Sequence, residues 1–240
     1  MTYCLAIKVS EGLIGLADGR ITSGTQLATA RKMTLHGVDG MRFFVMTSGL
    51  RSLRDKVIAY LDRALATAGE PPHTMLDAIG IYTGCLRVVT EEDKGALESS
   101  HLGFDLHALI GGQLADDPEP TIFLVYPVGN WIQIGERTPY LAIGNTGYGK
   151  PILDRALRFE TPMRTALKLA YLSFDSTRLS SADVGYPLDL ATLQVGERSW
   201  RQAQFQDDEL RHQGDWWNEQ LKRLADTIPD APWLGKLLPP

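Results

Sequence analysis

The chain has 240 residues, 44% of them hydrophobic, enough to bury a sizeable core in one large domain or two small ones. A formal net charge of −5 argues against nucleic acid or an anionic membrane as partners, since both favour a basic face. No run approaches the ~18 apolar residues of a bilayer span, no basic lead marks a signal peptide, and Cys4 and Cys85 are the only cysteines, which suits a reducing, cytoplasmic setting better than a disulfide framework.

Residues 2–9 and 13–18 are short apolar runs around Ser10-Glu11-Gly12, a turn signal, and together they predict a hairpin. Residues 41–48 predict another buried strand, which ends at Gly49. Leu50, Leu53, Val57, Leu61 and Leu65 then recur at three- and four-residue steps, one face of a helix that Gly69-Glu70-Pro71-Pro72 stops. A second helix carries Met75, Ile79, Leu86 and Val89 on its apolar side. Strands follow at 107–114, 121–126, 131–134 and 139–143, the first turn among them being Asp116-Asp117-Pro118. Helices fit 149–159 and 162–174, a strand-rich stretch 184–196, and a polar helix about 207–226, before a Pro-rich tail read as coil. Blocks of strands alternating with blocks of helices predict an α+β fold, two sheets face to face with helices outside. No repeat or linker parts the chain, so residues 1–240 form one expected domain with about 207–240 as an appended helix and tail.

Thr2 follows Met1 directly. Removal of Met1, normal before a small residue, would put a hydroxyl and a free α-amine on one residue. An α-amine titrates near ~7.7–8.0, so a neutral fraction exists at cytoplasmic pH to act as general base for its own hydroxyl. In the predicted hairpin Thr2 lies opposite residues near 18 to 21, which brings Asp18 to its end of the sheet. Asp18 is then placed to orient Lys32, and a lysine ammonium beside Thr2 favours both the neutral amine and the alkoxide. Gly49 is the candidate oxyanion donor through its backbone N–H. Taken singly these are a common second residue, a turn aspartate, a solvated lysine and a strand-to-helix glycine; the combination carries the reading.

A threonine start, Ala-Asp-Gly-Arg at 17–20, Arg-Lys-Met at 31–33 and an apolar strand ending in Ser-Gly resemble the proteasome β-subunit and the two-component bacterial proteasome-like peptidase. The nearer resemblance is to the Anbu (ancestral β-subunit) family, carried by MTYCLAIKVSEGLIGLADGRITSG, YGKPILDRAL, SFDSTRLSSADVGYPLDL and the acidic, tryptophan-containing C-terminal helix, which together span most of the chain. The resemblance implies an αββα four-layer sandwich of the N-terminal nucleophile hydrolase type, threonine peptidase chemistry and self-assembly. It makes Thr2 the nucleophile, Asp18 the acidic partner, Lys32 the active-site lysine, Gly49 the oxyanion glycine and Asp175 the second aspartate that orients the amine. The family's serine near the amine falls in 143–147, where no serine occurs and Thr146 is the nearest hydroxyl. With only Met1 before the threonine, maturation would call on methionine aminopeptidase rather than self-cleavage.

Other signals give way. Residues 144–151 fit G-x-x-x-x-G-K, but Pro151 stands where a P-loop needs a hydroxyl and an N–H; proline suits a helix's first turn instead. The five histidines and two cysteines lack metal-ligand spacing, and no cofactor is expected. Trp216-Trp217 and Trp200 mark either an interface or ordinary packing. The functions in competition are a threonine hydrolase acting on peptide or protein substrates, a non-catalytic self-assembling scaffold, and an amide ligase or transferase that uses the same acyl-enzyme. No motif identifies an unfoldase partner.

Overall fold

The computed structural model describes residues 2–23, 26–38 and 41–237. It divides into two compact units, Met1–Gln206 and Asp207–Pro240. Strands β1 (Tyr3–Val9) and β2 (Gly12–Asp18) form the expected antiparallel hairpin, with Cys4 opposite Ala17. A short ribbon of β3 (Arg20–Ser23) and β4 (Gln26–Thr29) follows, then β5 (Met33–Val38) and β6 (Met41–Gly49).

Helix α1 (Arg51–Thr67) buries Leu53, Val57 and Leu61, the stripe predicted from their spacing, each contributing about 1.5–3 kcal/mol of apolar burial. Helix α2 (Met75–Ser99) starts at a capping box in which Thr74 and Asp77 satisfy each other's backbone N–H. Asp117, in the Asp116-Asp117-Pro118 turn further along the chain, adds to it, accepting from the N–H of both Met75 (2.9 Å) and Leu114 (2.8 Å). Strands β7 (Leu106–Gly112), β8 (Thr121–Val125), β9 (Trp131–Gln133) and β10 (Tyr140–Gly144) come next, within a residue or two of their predicted bounds.

Helix α3 (Lys150–Ala156) has Pro151 in its first turn, as expected, and ends three residues before the predicted limit. Helix α4 (Met163–Ser180) begins where Glu11, from the β1–β2 turn, accepts from the Met163 N–H at 2.9 Å. Strands β11 (Leu188–Gln194) and β12 (Arg201–Phe205) complete this unit.

One sheet has the order β10-β1-β2-β11-β12 and the other β5-β6-β7-β8-β9, all neighbours antiparallel. Alternation along β6 assigns its two faces. Phe43 and Val45 join Ala108, Ile110 and Phe123 in a core with α1 and α2. Phe44 and Met46 turn the other way, onto Cys4, Ala6, Leu13 and Ala17 of the first sheet. Helix α4 packs on β1 and β2, where Tyr3 Oη donates to Ser173 Oγ at 3.0 Å. The fold is therefore α+β, and the start of β1 lies in the middle of a sheet, flanked by β10 and β2.

In the second unit, α5 (Asp207–Asp226) matches the predicted polar helix, with three acids in its first turn complementing the helix dipole. The tail corrects the sequence reading: Pro232–Leu237 is a helix, α6, not coil, since proline is tolerated in a first turn. Residues 238–240 lie outside the described residues. No described helix is long and apolar enough to cross a membrane.

Candidate active site

Asp18 ends β2 in the hairpin that presents Thr2, and its side chain is fully buried. Its Oδ1 accepts from the Tyr3 N–H at 2.8 Å and from Lys32 Nζ at 2.7 Å, and its Oδ2 accepts from the Gly185 N–H at 3.3 Å. One carboxylate thus binds the residue after Thr2, the lysine that precedes β5, and the turn before β11. Thr2 and Lys32 are themselves only 8% and 6% exposed. Burial pushes the Asp18 carboxyl up, while the Lys32 ammonium and the two backbone N–H groups pull it back toward the ionised form. A buried pair of this kind is a weak source of net stability, but removing one member leaves an uncompensated charge.

The Thr2 main chain is held from the other side. Its carbonyl accepts from the Asn145 N–H at 2.7 Å, just past the end of β10. The preceding Gly144 has φ +88°, and a Cβ there would come within 1.9 Å of the Thr2 carbonyl oxygen and 3.3 Å of Ser48 Oγ. Gly144→Ala is therefore expected to shift the Thr2 backbone and to destabilise the fold by about 1–3 kcal/mol. Thermal unfolding beside the wild type checks this, and an unchanged Tm would show that the contact relaxes without cost.

Ser48 Oγ, near the end of β6, lies on the same side of Gly144 as the Thr2 carbonyl. Gly49 pairs with Leu106, has φ +139°, and a Cβ on it would lie 2.0 Å from the Asp105 carbonyl oxygen. Backbone geometry alone demands glycine there, whatever its N–H does.

The remaining predicted residues stand as follows. Asp175 is fully buried on α4 and accepts from Arg178 Nε at 2.8 Å. It is not among the groups bonded to Asp18, which among the described residues are Tyr3, Lys32 and Gly185. Thr146 lies in the turn after Gly144, its carbonyl accepting from Lys150 N–H at 3.0 Å. Met1, whose removal a Thr2 nucleophile would require, lies outside the described residues. Cys4 and Cys85 are both free, and no group of His, Cys, Asp or Glu suited to a metal ion occurs among the described residues.

Sequence reasoning missed Gly185, Asn145 and Gly144, which act through the backbone and meet Thr2 or Asp18 across long separations. It also missed a cavity of about 230 Å³ between the outer face of β5–β6 and α1, with Lys32, Thr34 and Thr47 on its strand side. Alternation from Lys32 to Thr34 and His36 was the signal available for it. A larger cavity, about 440 Å³, lies beside Lys8–Ser10 at the far end of β1 and contains none of the candidate residues. The smaller one adjoins the candidate residues, because Lys32 lines it.

The fold recurs in solved structures. The chain is 32% identical to a Pseudomonas aeruginosa protein described as a helical assembly of the Anbu complex, covering 96% of this chain and 98% of that one with a TM-score of 0.88. Anbu (ancestral β-subunit) from Yersinia bercovieri is 28% identical over 95% of this chain and 98% of its own, TM-score 0.84. An Anbu (Gly-1) mutant from Hyphomicrobium sp. strain MC1 is 28% identical over 96% and 99%, TM-score 0.86. No protein-family profile matches the sequence, and a comparison with curated proteins finds no match.

Proposed function

The chain belongs to the Anbu (ancestral β-subunit) family, and from that premise we propose that it is a proteasome-type threonine peptidase whose nucleophile is Thr2 once Met1 is removed. The observation that carries this reading is the buried Asp18–Lys32 pair, tied by the Tyr3 N–H to the residue after Thr2. Nothing in the packing of the hairpin calls for a lysine ammonium and a carboxylate at this depth, whereas an amine–hydroxyl nucleophile gains from both.

In the proposed cycle, Thr2 Oγ1 attacks the scissile carbonyl while the Thr2 α-amine takes the hydroxyl proton. Lys32, held by Asp18, favours the neutral amine and the developing alkoxide. The Gly49 N–H receives the oxyanion. The protonated amine gives its proton to the leaving nitrogen as the C–N bond breaks, and water then hydrolyses the ester by the reverse of the same transfers. Asp175 is assigned an indirect part, acting through its helix.

The sheet and helix contacts fit an αββα four-layer arrangement for residues before 207, with 207–240 as an appended segment. Trp216 on that segment is 56% exposed and Leu224 and Ile228 are exposed as well, in keeping with self-association of the protein.

The test is the intact mass of the purified chain before and after incubation with a peptide epoxyketone, a probe that needs a threonine hydroxyl and its free amine together. Loss of Met1 followed by one adduct per chain is the expected result. A Met1-free chain that forms no adduct would favour the silent scaffold.

A further inference from the structure

The larger cavity, about 440 Å³ at the far end of β1 from Thr2, is built around a buried cation. Cys4 and Ala6 of β1 face the second sheet, and Lys8 is the next residue on that face, paired across the hairpin with Leu13. Its side chain, 10% exposed, crosses to the segment before β8, where Nζ lies 3.0 Å from Glu119 Oε1. An ammonium carries three N–H donors. Glu119 is the only acceptor that meets this one among the described residues, so two donors remain, and burial denies them most of the water that would otherwise serve. Lys8 lines the cavity, which is the space open to those donors.

The other charged groups of the lining leave the same sign unanswered. Both oxygens of Asp117 accept from main-chain N–H groups, those of Met75 and Leu114. Glu197 Oε1 accepts from Arg201 Nη2 at 2.6 Å. Arg198, in the turn between β11 and β12, lines the cavity and has no partner among the described residues. Two cations with donors to spare, beside three acids already engaged, call for an anion. The acids also limit its charge, because Asp117, Glu119 and Glu197 repel a dianion such as phosphate about twice as strongly as a monoanion. Phe159, Pro118 and Pro120 line the same cavity and suit an apolar body. The volume lies within the ~300–1,000 Å³ of small-molecule sites.

We propose that this cavity binds an apolar monocarboxylate, a free organic acid or the carboxyl end of a peptide, with Lys8 and Arg198 receiving the carboxylate and Phe159 and the two prolines the apolar body. None of its lining residues belongs to the candidate active site, so the proposal stands whether or not Thr2 is a nucleophile. Glu119 is the group with which the ligand competes. Its side chain is 61% exposed, so it can turn to water when a ligand carboxylate takes over the ammonium.

The experiment titrates the full chain with phenylpropionate, with its neutral amide phenylpropionamide, and with N-acetyl-alanyl-phenylalanine, each followed by calorimetry near neutral pH. Phenylpropionate is expected to bind with a Kd on the order of 0.1–1 mM, an ordinary efficiency for its size. The amide should bind at least about tenfold more weakly, because it forfeits the charge-assisted bonds. The peptide tells the two sources apart: affinity equal to that of phenylpropionate extends the site to peptide carboxyl ends, and weaker binding confines it to free acids. Lys8→Met, which keeps the apolar stem, and Arg198→Gln, at the surface, should each weaken phenylpropionate binding by at least about fivefold. Glu119→Gln removes the competing charge and should tighten it by about threefold. Arg198→Gln and Glu119→Gln leave the Lys8 stem in place, so the test holds should Lys8→Met fail to fold. No binding up to about 10 mM, equal affinity for acid and amide, or affinity that neither Arg198→Gln nor Glu119→Gln alters would overturn the proposal.

Discussion

Lys32→Met is expected to lower the rate of acylation at Thr2 by on the order of 10³-fold and to destabilise the fold by about 3–5 kcal/mol, two effects with separable causes. The stability loss comes from Asp18, whose fully buried carboxylate would keep the N–H groups of Tyr3 and Gly185 but lose its countercharge. Burial already raises its pKa, and without the ammonium it rises further. A carboxyl with a folded pKa above its unfolded value binds more protons when folded, so stability falls as pH rises through that window. The variant's deficit should therefore be larger at pH 7 than at pH 5, as read by denaturant unfolding. The rate loss has another origin, the missing positive charge beside the amine and hydroxyl. The double variant Asp18→Asn/Lys32→Met separates them: removing both charges should recover much of the stability and none of the rate. If Lys32→Met reacts with the epoxyketone within about threefold of wild type, Lys32 has no part in activating Thr2.

What could be read from the sequence depended on how local the cause was. The β1–β2 hairpin announces itself by two apolar runs around a turn, and its expected register placed Asp18 at the same end of the sheet as Thr2, where the pairing of Cys4 with Ala17 puts it. Helices α1 and α5 likewise declare themselves, one by its apolar stripe and the other by its acidic start. Strand β5 was visible only as an apolar segment after Lys32, because Thr34 and His36 put polar residues on a half-buried face. The short β3 and β4 are too brief for any period to show, and β12 is a polar edge strand, exposed along most of its length. The site's backbone donors could not be foreseen at all. Gly185 meets Asp18, and Asn145 meets Thr2, across more than a hundred residues, and main-chain N–H groups leave no trace in composition. Gly144 and Gly49 were visible as glycines, but the carbonyls they pack against are set by tertiary contact.

Thr2→Ala is the sharper test of the chemistry, because beside the hydroxyl it removes only one methyl group. The main-chain carbonyl of residue 2 keeps its bond to the Asn145 N–H, and the Tyr3 N–H keeps its bond to Asp18. Alanine is small enough for Met1 still to be trimmed, so the free amine survives while the attacking oxygen is lost. Hydrolysis and epoxyketone capture should fall by at least about 10³-fold, while stability stays within ~1 kcal/mol and self-association is unchanged. Thr2→Ser, which keeps hydroxyl and amine, should retain activity within about tenfold. That pair of variants distinguishes a nucleophile from a residue that merely packs at the end of β1: packing would be hurt by both, since each loses the Thr2 methyl, whereas nucleophilic attack is lost only with the oxygen. Undiminished hydrolysis in Thr2→Ala would move the nucleophile elsewhere in the chain and leave the Asp18–Lys32 pair without a catalytic reason for its burial.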